Sequence, residues 1–215
     1  MQHRHSLLGL LAGLGAAAIW GGMYVVSKVV LEVIPPFALL STRLLLGILT
    51  LGLVIALRPK LSLMAKQVWQ VFGVGVVGYG ISLGFQFVGT KLSTASNGSL
   101  VTSATPAFIL LFAPFLLGER TTPRRLAALL VSTLGVVAVI DPRTAELSPS
   151  LFWGNLSLLA AALTWALYSV LVRKVTRNLD VILPTAIMLA GGLPSSLAFG
   201  AWEVGPRGLG PITLG

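Results

Sequence analysis

The sequence predicts an all-α fold, a polytopic membrane helical bundle of about seven transmembrane helices. Three observations carry that expectation. Of 215 residues, 55% are hydrophobic and only 10% charged, whereas a soluble domain carries about 25% charged residues. The mean hydropathy is +0.92. The apolar residues gather into long runs separated by short groups of Lys and Arg. At roughly 30 residues for each spanning helix and its loop, the length holds about seven spans. This composition excludes disorder and, without cysteine, a disulfide scaffold or thiolate metal site. The net charge of +9 is scattered between the runs rather than clustered on soluble elements, so no nucleic-acid partner is expected.

The runs are Leu7 to Val30, Pro36 to Leu57, Val68 to Gly89, Ala95 to Leu117, Pro123 to Ile140, Leu151 to Val172 and Val181 to Trp202. The first is too long for a signal-peptide core, and no small-residue cleavage site follows it. The fifth is short and relies on Arg124 and Arg125 snorkelling at its start. None alternates apolar and polar residues as a membrane strand would. Between the fourth and fifth, Leu117 to Pro123 reads as a tight turn. Gly118 ends one helix, Pro123 opens the next, and Glu119 pairs with a neighbouring Arg.

Charge sets the orientation. With the N-terminus cytoplasmic, the inner segments hold ten basic residues: Arg4, Arg58, Lys60, Lys66, Arg120, Arg124, Arg125, Arg173, Lys174 and Arg177. The outer segments hold four: Lys28, Lys91, Arg143 and Arg207. That is a positive-inside bias. The expected location is the plasma membrane, as a multi-pass protein of a bacterial inner membrane. His3 and His5 fall in the short cytoplasmic tail, and no metal or other cofactor is expected.

The chain also repeats itself. At an offset of 145 residues, Gly9 meets Gly154, Ala16 and Ala17 meet Ala161 and Ala162, and Trp20 meets Trp165. Val25 meets Val170, Lys28 meets Arg173, Val30 meets Val175, and Gly47 meets Gly192. Spans one and two therefore recur as spans six and seven. Five spans separate equivalent points, and an odd number inverts the second copy. Such inverted repeats place a substrate site near the bilayer midplane. The expected organisation is a complete five-helix repeat over 1–142 and part of an inverted second repeat over 150–215.

These residues resemble a known family. Ile19-Trp20-Gly21-Gly22, Lys28, Pro35-Pro36 and Arg43 resemble the first hairpin of the EamA family in the drug/metabolite transporter superfamily. Gly84-Phe85-Gln86-Phe87, Thr94-Ala95-Ser96, Pro106 and Leu117-Gly118-Glu119-Arg120 are similar to that family's third and fourth helices, and Gly135-Val136 to the fifth. The resemblance implies a transporter of metabolites, amino acids or drugs, often an exporter, with ten helices in two inverted repeats. This chain supplies one repeat and about two helices of the next. The expectation is therefore a secondary transporter of small organic solutes by alternating access. The alternatives are a truncated, non-transporting fragment, or a subunit completed by a homodimer or a partner chain. An intramembrane enzyme is disfavoured, because the spans carry no Asp, Glu or His except at their edges.

The candidate substrate-binding residues are Trp20, Tyr24, Arg43, Tyr79, Gln86, Asn97, Trp165 and Tyr168. Arg43 lies seven positions past Pro36, about 10 Å into the membrane. A cation there faces protein or a wet cavity, either as an anion contact or as a structural donor to carbonyls. Trp20 and Trp165 occupy matched places in the two copies and should approach each other near mid-membrane, as a cavity wall or as packing. Tyr24 and Tyr168 follow within a turn. Tyr79, Gln86 and Asn97 offer uncharged polar tips, and Asn97 is equally placed to satisfy backbone. Lys28 forms an i,i+4 pair with Glu32 or acts in gating. The stripe Gly9, Gly13, Ala17, Gly21 and the pair Gly80, Gly84 read as close-packing faces. Pro106, Pro114, Pro184 and Pro194 read as kinks or hinges.

Overall fold

The structure, a computed structural model, describes residues 2–57, 62–119, 122–140 and 148–207. Arg58, Lys60, Arg120, Arg143 and the tail after Arg207 lie outside them. The described chain is helical, without strands. It runs α1 (Gln2–Val33), α2 (Pro36–Ala56), α3 (Ala65–Gly75), a π-helical segment (Val76–Ser82), α4 (Leu83–Leu92), α5 (Ala95–Ser103), α6 (Thr105–Leu117), α7 (Pro123–Ile140), α8 (Pro149–Val175) and α9 (Ile182–Arg207). Six stretches are long and apolar enough to cross a membrane: Leu8–Val33, Pro36–Ala56, Ala65–Leu92, Ala95–Leu117, Pro149–Val175 and Ile182–Gly205. The fifth sequence run forms α7, of 18 residues.

Prolines and glycine set the boundaries. Pro36 and Pro149 open α2 and α8 at positions where a missing N–H costs nothing. Gly118 closes α6 in the left-handed conformation, at φ 68°. Glu119 then bridges to Arg125 at 3.2 Å and to Arg173 of α8 at 2.8 Å, so the turn is tied to a second helix. The start of α2 has no side-chain cap of its own. Glu203 of α9 supplies one from a distance, its carboxylate accepting the Phe37 N–H at 2.9 Å. A carboxylate at a helix N-terminus satisfies an orphan donor and complements the helix dipole.

Two predicted spans are not continuous α-helices. The third passes through seven π-helical residues rich in glycine, Val76 to Ser82. The fourth breaks at Ala104, between α5 and α6. Pro106 has no N–H to give the Thr102 carbonyl. The Ala107 N–H reaches back only to Ala104, at 3.0 Å.

The core lies where α9 packs on α2, α3 and the π segment, and where α8 packs on α4 and α6. Buried clusters form around Leu31, Leu40, Leu44 and Phe87, around Val71, Val74, Tyr168 and Met188, and around Tyr24, Phe108, Leu158 and Ala162. Small residues permit these approaches. A Cβ on Gly192 would stand 2.6 Å from the backbone carbon of Tyr79. Gly80 and Gly84 meet Ser195 and Phe37 as closely as the close-packing expectation requires. The stripe on α1 does not. Gly9, Gly13 and Gly21 have no atom within 4 Å of where a Cβ would sit. The reason is position: α1 packs against α4 and α5, and among its described side chains only Tyr24, Ser27 and Leu31 are buried.

That difference is measurable. Gly192→Val should lower the midpoint of thermal unfolding in detergent, since overpacking costs about 1–3 kcal/mol and a backbone neighbour cannot yield. Gly13→Val should leave it unchanged. Equal midpoints for the two variants would contradict the packing of α9 on the π segment.

Candidate functional site

Tryptophans at matched positions of the sequence repeat meet in the bundle. The Trp20 and Trp165 rings lie 5.3 Å apart, centroid to centroid, at an interplanar angle of 59°. Trp165 also stacks on Tyr168 at 4.7 Å and meets Tyr79 edge-on at 6.0 Å, while Tyr79 and Tyr168 are 5.6 Å apart. Aromatic rings prefer these tilted and edge-on arrangements because their faces are negative and their edges positive.

The tryptophan pair lines two cavities. The larger, of about 480 Å³, is walled by Trp20 and Tyr24 of α1, Gln86 of α4, Trp165 of α8, and residues on both sides of the α5–α6 break, Pro106 among them. The smaller, of about 200 Å³, is lined by Arg43, Tyr79, Phe87 and the two tryptophans. Both sizes suit a small organic solute or a part of one.

Arg43 stands in the smaller cavity with little to hold it. Its guanidinium reaches the Ser27 hydroxyl at 3.4 Å and lies 5.3 Å from the centre of the Phe87 ring. The described ion pairs both use Glu119, so no acidic partner neutralises Arg43 among the described residues. An arginine presents five N–H donors in a planar fork. Among the described residues that fork has one hydrogen-bond partner, the Ser27 hydroxyl.

Six of the eight sequence candidates therefore line the two cavities: Trp20, Tyr24, Arg43, Tyr79, Gln86 and Trp165. Tyr168 lines neither. It is buried behind Trp165, with its ring against Gly78 and its hydroxyl 3.6 Å from the Met188 sulfur. Asn97 lines neither as well. Its side-chain amide donates to Asn155 Oδ1 at 3.1 Å. Ser93 donates to the same oxygen at 2.5 Å, and Asn155 Nδ2 is buried without a partner.

Lys28 does not pair with Glu32. Its Nζ donates to the carbonyls of Lys91, at 2.8 Å, and Ser93, at 2.5 Å. The last carbonyls of α4 have no partner within their helix, and satisfying them outweighs a surface ion pair of little net value. Lys28, Ser93, Asn97 and Asn155 thus knot α1 to α4, α5 and α8. Asn155→Leu would strand the Ser93 and Asn97 donors, at about 1–3 kcal/mol for a buried unsatisfied group. It should lower the detergent unfolding midpoint, and an unchanged midpoint would contradict the knot.

Sequence reasoning missed the hydroxyls. Ser99, Thr102, Ser103, Thr105 and Ser169 line the larger cavity. A signal existed in the spacing of Ser99, Thr102 and Ser103, which shares one helical face within an otherwise apolar run.

The described residues form a polytopic helical bundle with a broken helix, a π-helical segment and an aromatic-lined cavity that holds Arg43. The EamA-like transporter family matches residues 7–140. The chain belongs to that family, one of transporters rather than enzymes. It is 28% identical over 176 residues to an uncharacterized transporter of Archaeoglobus fulgidus, which covers 81% of this chain and 60% of the relative. It is 28% identical to the aromatic amino acid exporter YddG of Ancylobacter novellus, over 95% of this chain and 73% of that protein. The uncharacterized transporter YcxC of Bacillus subtilis is 27% identical, with 56% of its length covered. The chain thus spans between 56% and 73% of the length of these three curated relatives. A solved crystal structure, 25% identical, superposes with a TM-score of 0.62, over 96% of this chain and 70% of the other.

Proposed function

We propose that this chain carries the substrate cavity of a transporter, or exporter, of small organic solutes. The solute's apolar or aromatic body lies against Trp20 and Trp165, and its carboxylate meets Arg43. The observation that carries the reading is the shared wall. Two tryptophans at matched positions of the sequence repeat stand 5.3 Å apart, and the cavity beside them holds an arginine without an acidic partner among the described residues.

The wall suggests how transport proceeds. In alternating access, two inverted halves rock about a fixed central site. Residues 1–142 form one half and 150–215 contribute to the other, with the N-terminus cytoplasmic and the plasma membrane as the location. Trp20 and Trp165 meet across the pseudo-two-fold axis, so rocking separates or closes them. Likeness to a relative named as an aromatic amino acid exporter favours an aromatic carboxylate solute.

Reconstitution into proteoliposomes tests this directly. Loaded vesicles should release labelled phenylalanine or 3-phenylpropionate faster than protein-free vesicles. Release at the protein-free rate, with no binding of either probe to the purified protein, would overturn the reading. Binding without release would instead favour a chain that needs further helices, from a second copy or a partner, to complete alternating access.

A further inference from the structure

A third cavity, of about 360 Å³, shares no lining residue with the two beside the tryptophans. Its wall comes from Phe37 of α2, the face of the third span from Gly80 to Val88, Ser157 of α8, and Ser195 and Phe199 of α9. No charged side chain lines it. Two hydroxyls do, and each spends its proton on backbone. Ser157 Oγ donates to Phe85 O at 2.8 Å, and Ser195 Oγ to Gly192 O at 3.1 Å. The rest of the lining is apolar, with the Phe37 and Phe199 rings 5.0 Å apart.

Position and shape restrict what fills this space. Phe37 is the second residue of α2, so one end of the cavity lies near the membrane interface. The wall from Val88 to Gly80 runs about 12 Å along the third span, close to the roughly 15 Å depth of one leaflet's hydrocarbon. Ile81, Phe85 and Phe199 line the cavity and are also exposed on spanning helices, so it opens on a lipid-facing side. Water is a poor occupant, since a buried water makes about three hydrogen bonds and both hydroxyl protons are committed. An empty space forfeits dispersion contacts along its lining. The sequence repeat directs a further helix elsewhere. Ala161 and Ala162 of α8 match Ala16 and Ala17 of α1. The first two are buried and the second two exposed. The face that lacks helical neighbours is therefore on α1, which contributes no residue to this cavity.

We infer that this cavity is a binding site for one acyl chain of a membrane phospholipid, which enters between α4 and α9 and lies along the third span toward mid-membrane. A lipid chain is as apolar as leucine, so packing rather than release of water holds it. The tail fills the seam between α9 and the third span and asks for no hydrogen bond, which matches a lining whose hydroxyl protons are already used. The site stands apart from the solute cavities, and its fate is independent of the transport reading.

The test uses the full chain in nanodiscs of dioleoylphosphatidylcholine, doped with a phosphatidylcholine that carries a diazirine within one acyl chain. Photolysis and peptide mass mapping should place adducts on Ser157 and Ser195, inside the cavity, as well as on Leu49 and Leu53, which are exposed on α2. Two filling variants, Ile81→Trp at the exposed rim and Val88→Phe on the wall, narrow the site. Seating a tail beside the added ring overpacks the cavity, so adducts on the two serines should fall about tenfold. Those on Leu49 and Leu53 should not change. An unchanged unfolding midpoint checks that each variant keeps the fold, and Ile81→Trp, at an exposed position, carries the test if Val88→Phe does not. Serine adducts that persist undiminished, or that are absent from the wild-type chain, would overturn the site. Their absence together with a chain dimer that the filling variants break would give the cavity to a helix of a second copy instead.

Discussion

Arg43→Ala should reduce binding of 3-phenylpropionate by tenfold to about a hundredfold, without destabilising the protein. The magnitude follows from charge-assisted hydrogen bonds, each about 1.5–3 kcal/mol, where about 1.4 kcal/mol is tenfold in affinity. The second half of the prediction separates a binding role from a structural one. A guanidinium at membrane depth is costly to keep. Its described contacts are one 3.4 Å bond to Ser27 and the Phe87 face. If Arg43 serves the solute, removing it relieves an unpaired charge, and the unfolding midpoint stays level or rises. If Arg43 holds α1 to α2, the midpoint falls and probe binding follows it. Arg43→Lys should sit between wild type and alanine, since lysine keeps the charge and loses the planar fork. A lysine variant as weak as alanine would point to the fork rather than the charge.

Much of this architecture was legible because lipid imposes simple rules. Every spanning segment must satisfy its backbone internally, so long apolar runs read directly as helices. Part of the punctuation was equally plain: Pro36, Gly118 and Pro123 mark helix ends, whereas the run that opens at Leu151 in the sequence begins two residues earlier, at Pro149. The Trp20–Trp165 meeting was legible for a different reason. The two residues hold matched positions in the sequence repeat, and their rings do meet, 5.3 Å apart. What stayed hidden depended on three-dimensional partners. Lys28 and Glu32 have an ideal spacing for a surface pair. Nothing local reveals that the end of α4, more than sixty residues away, leaves carbonyls for Lys28 to cap. Nothing near Glu203 in the sequence reveals that α9 brings its carboxylate to the start of α2. The glycines on α1 and those at Gly80 and Gly84 share one sequence pattern but not one environment. A small-residue stripe records the possibility of close approach and carries no information on what approaches. The π-helical turn was unreadable, because hydropathy does not distinguish it from an α-helical one, whereas the break at Ala104 falls beside Pro106, one of the prolines that read as kinks or hinges.

The tryptophan wall yields the second large effect, because its two members are held so differently. Trp20 is 42% exposed and projects from the most loosely packed helix. Trp165 is wedged between Trp20, Tyr79 and Tyr168, with the Tyr168 ring in turn seated on Gly78. Truncating a packed aromatic costs about 3–5 kcal/mol, so Trp165→Ala should lower the unfolding midpoint as well as abolish binding of 3-phenylpropionate. Trp20→Ala should leave the midpoint nearly intact. It opens a wall that both cavities share, and binding and vesicle release should both fall by at least tenfold, since a large aromatic contact is worth more than about 1.4 kcal/mol. Trp20→Phe should restore most of the loss by refilling the wall with a ring. The informative comparison is therefore between Trp20→Ala and Trp165→Ala, measured for stability and binding side by side. Loss of binding in both, with loss of stability only in Trp165→Ala, is what a wall built from one half-buried and one exposed ring requires. Full binding by Trp20→Ala would show that the ring on α1 serves packing alone, and the shared wall would no longer support a transport site.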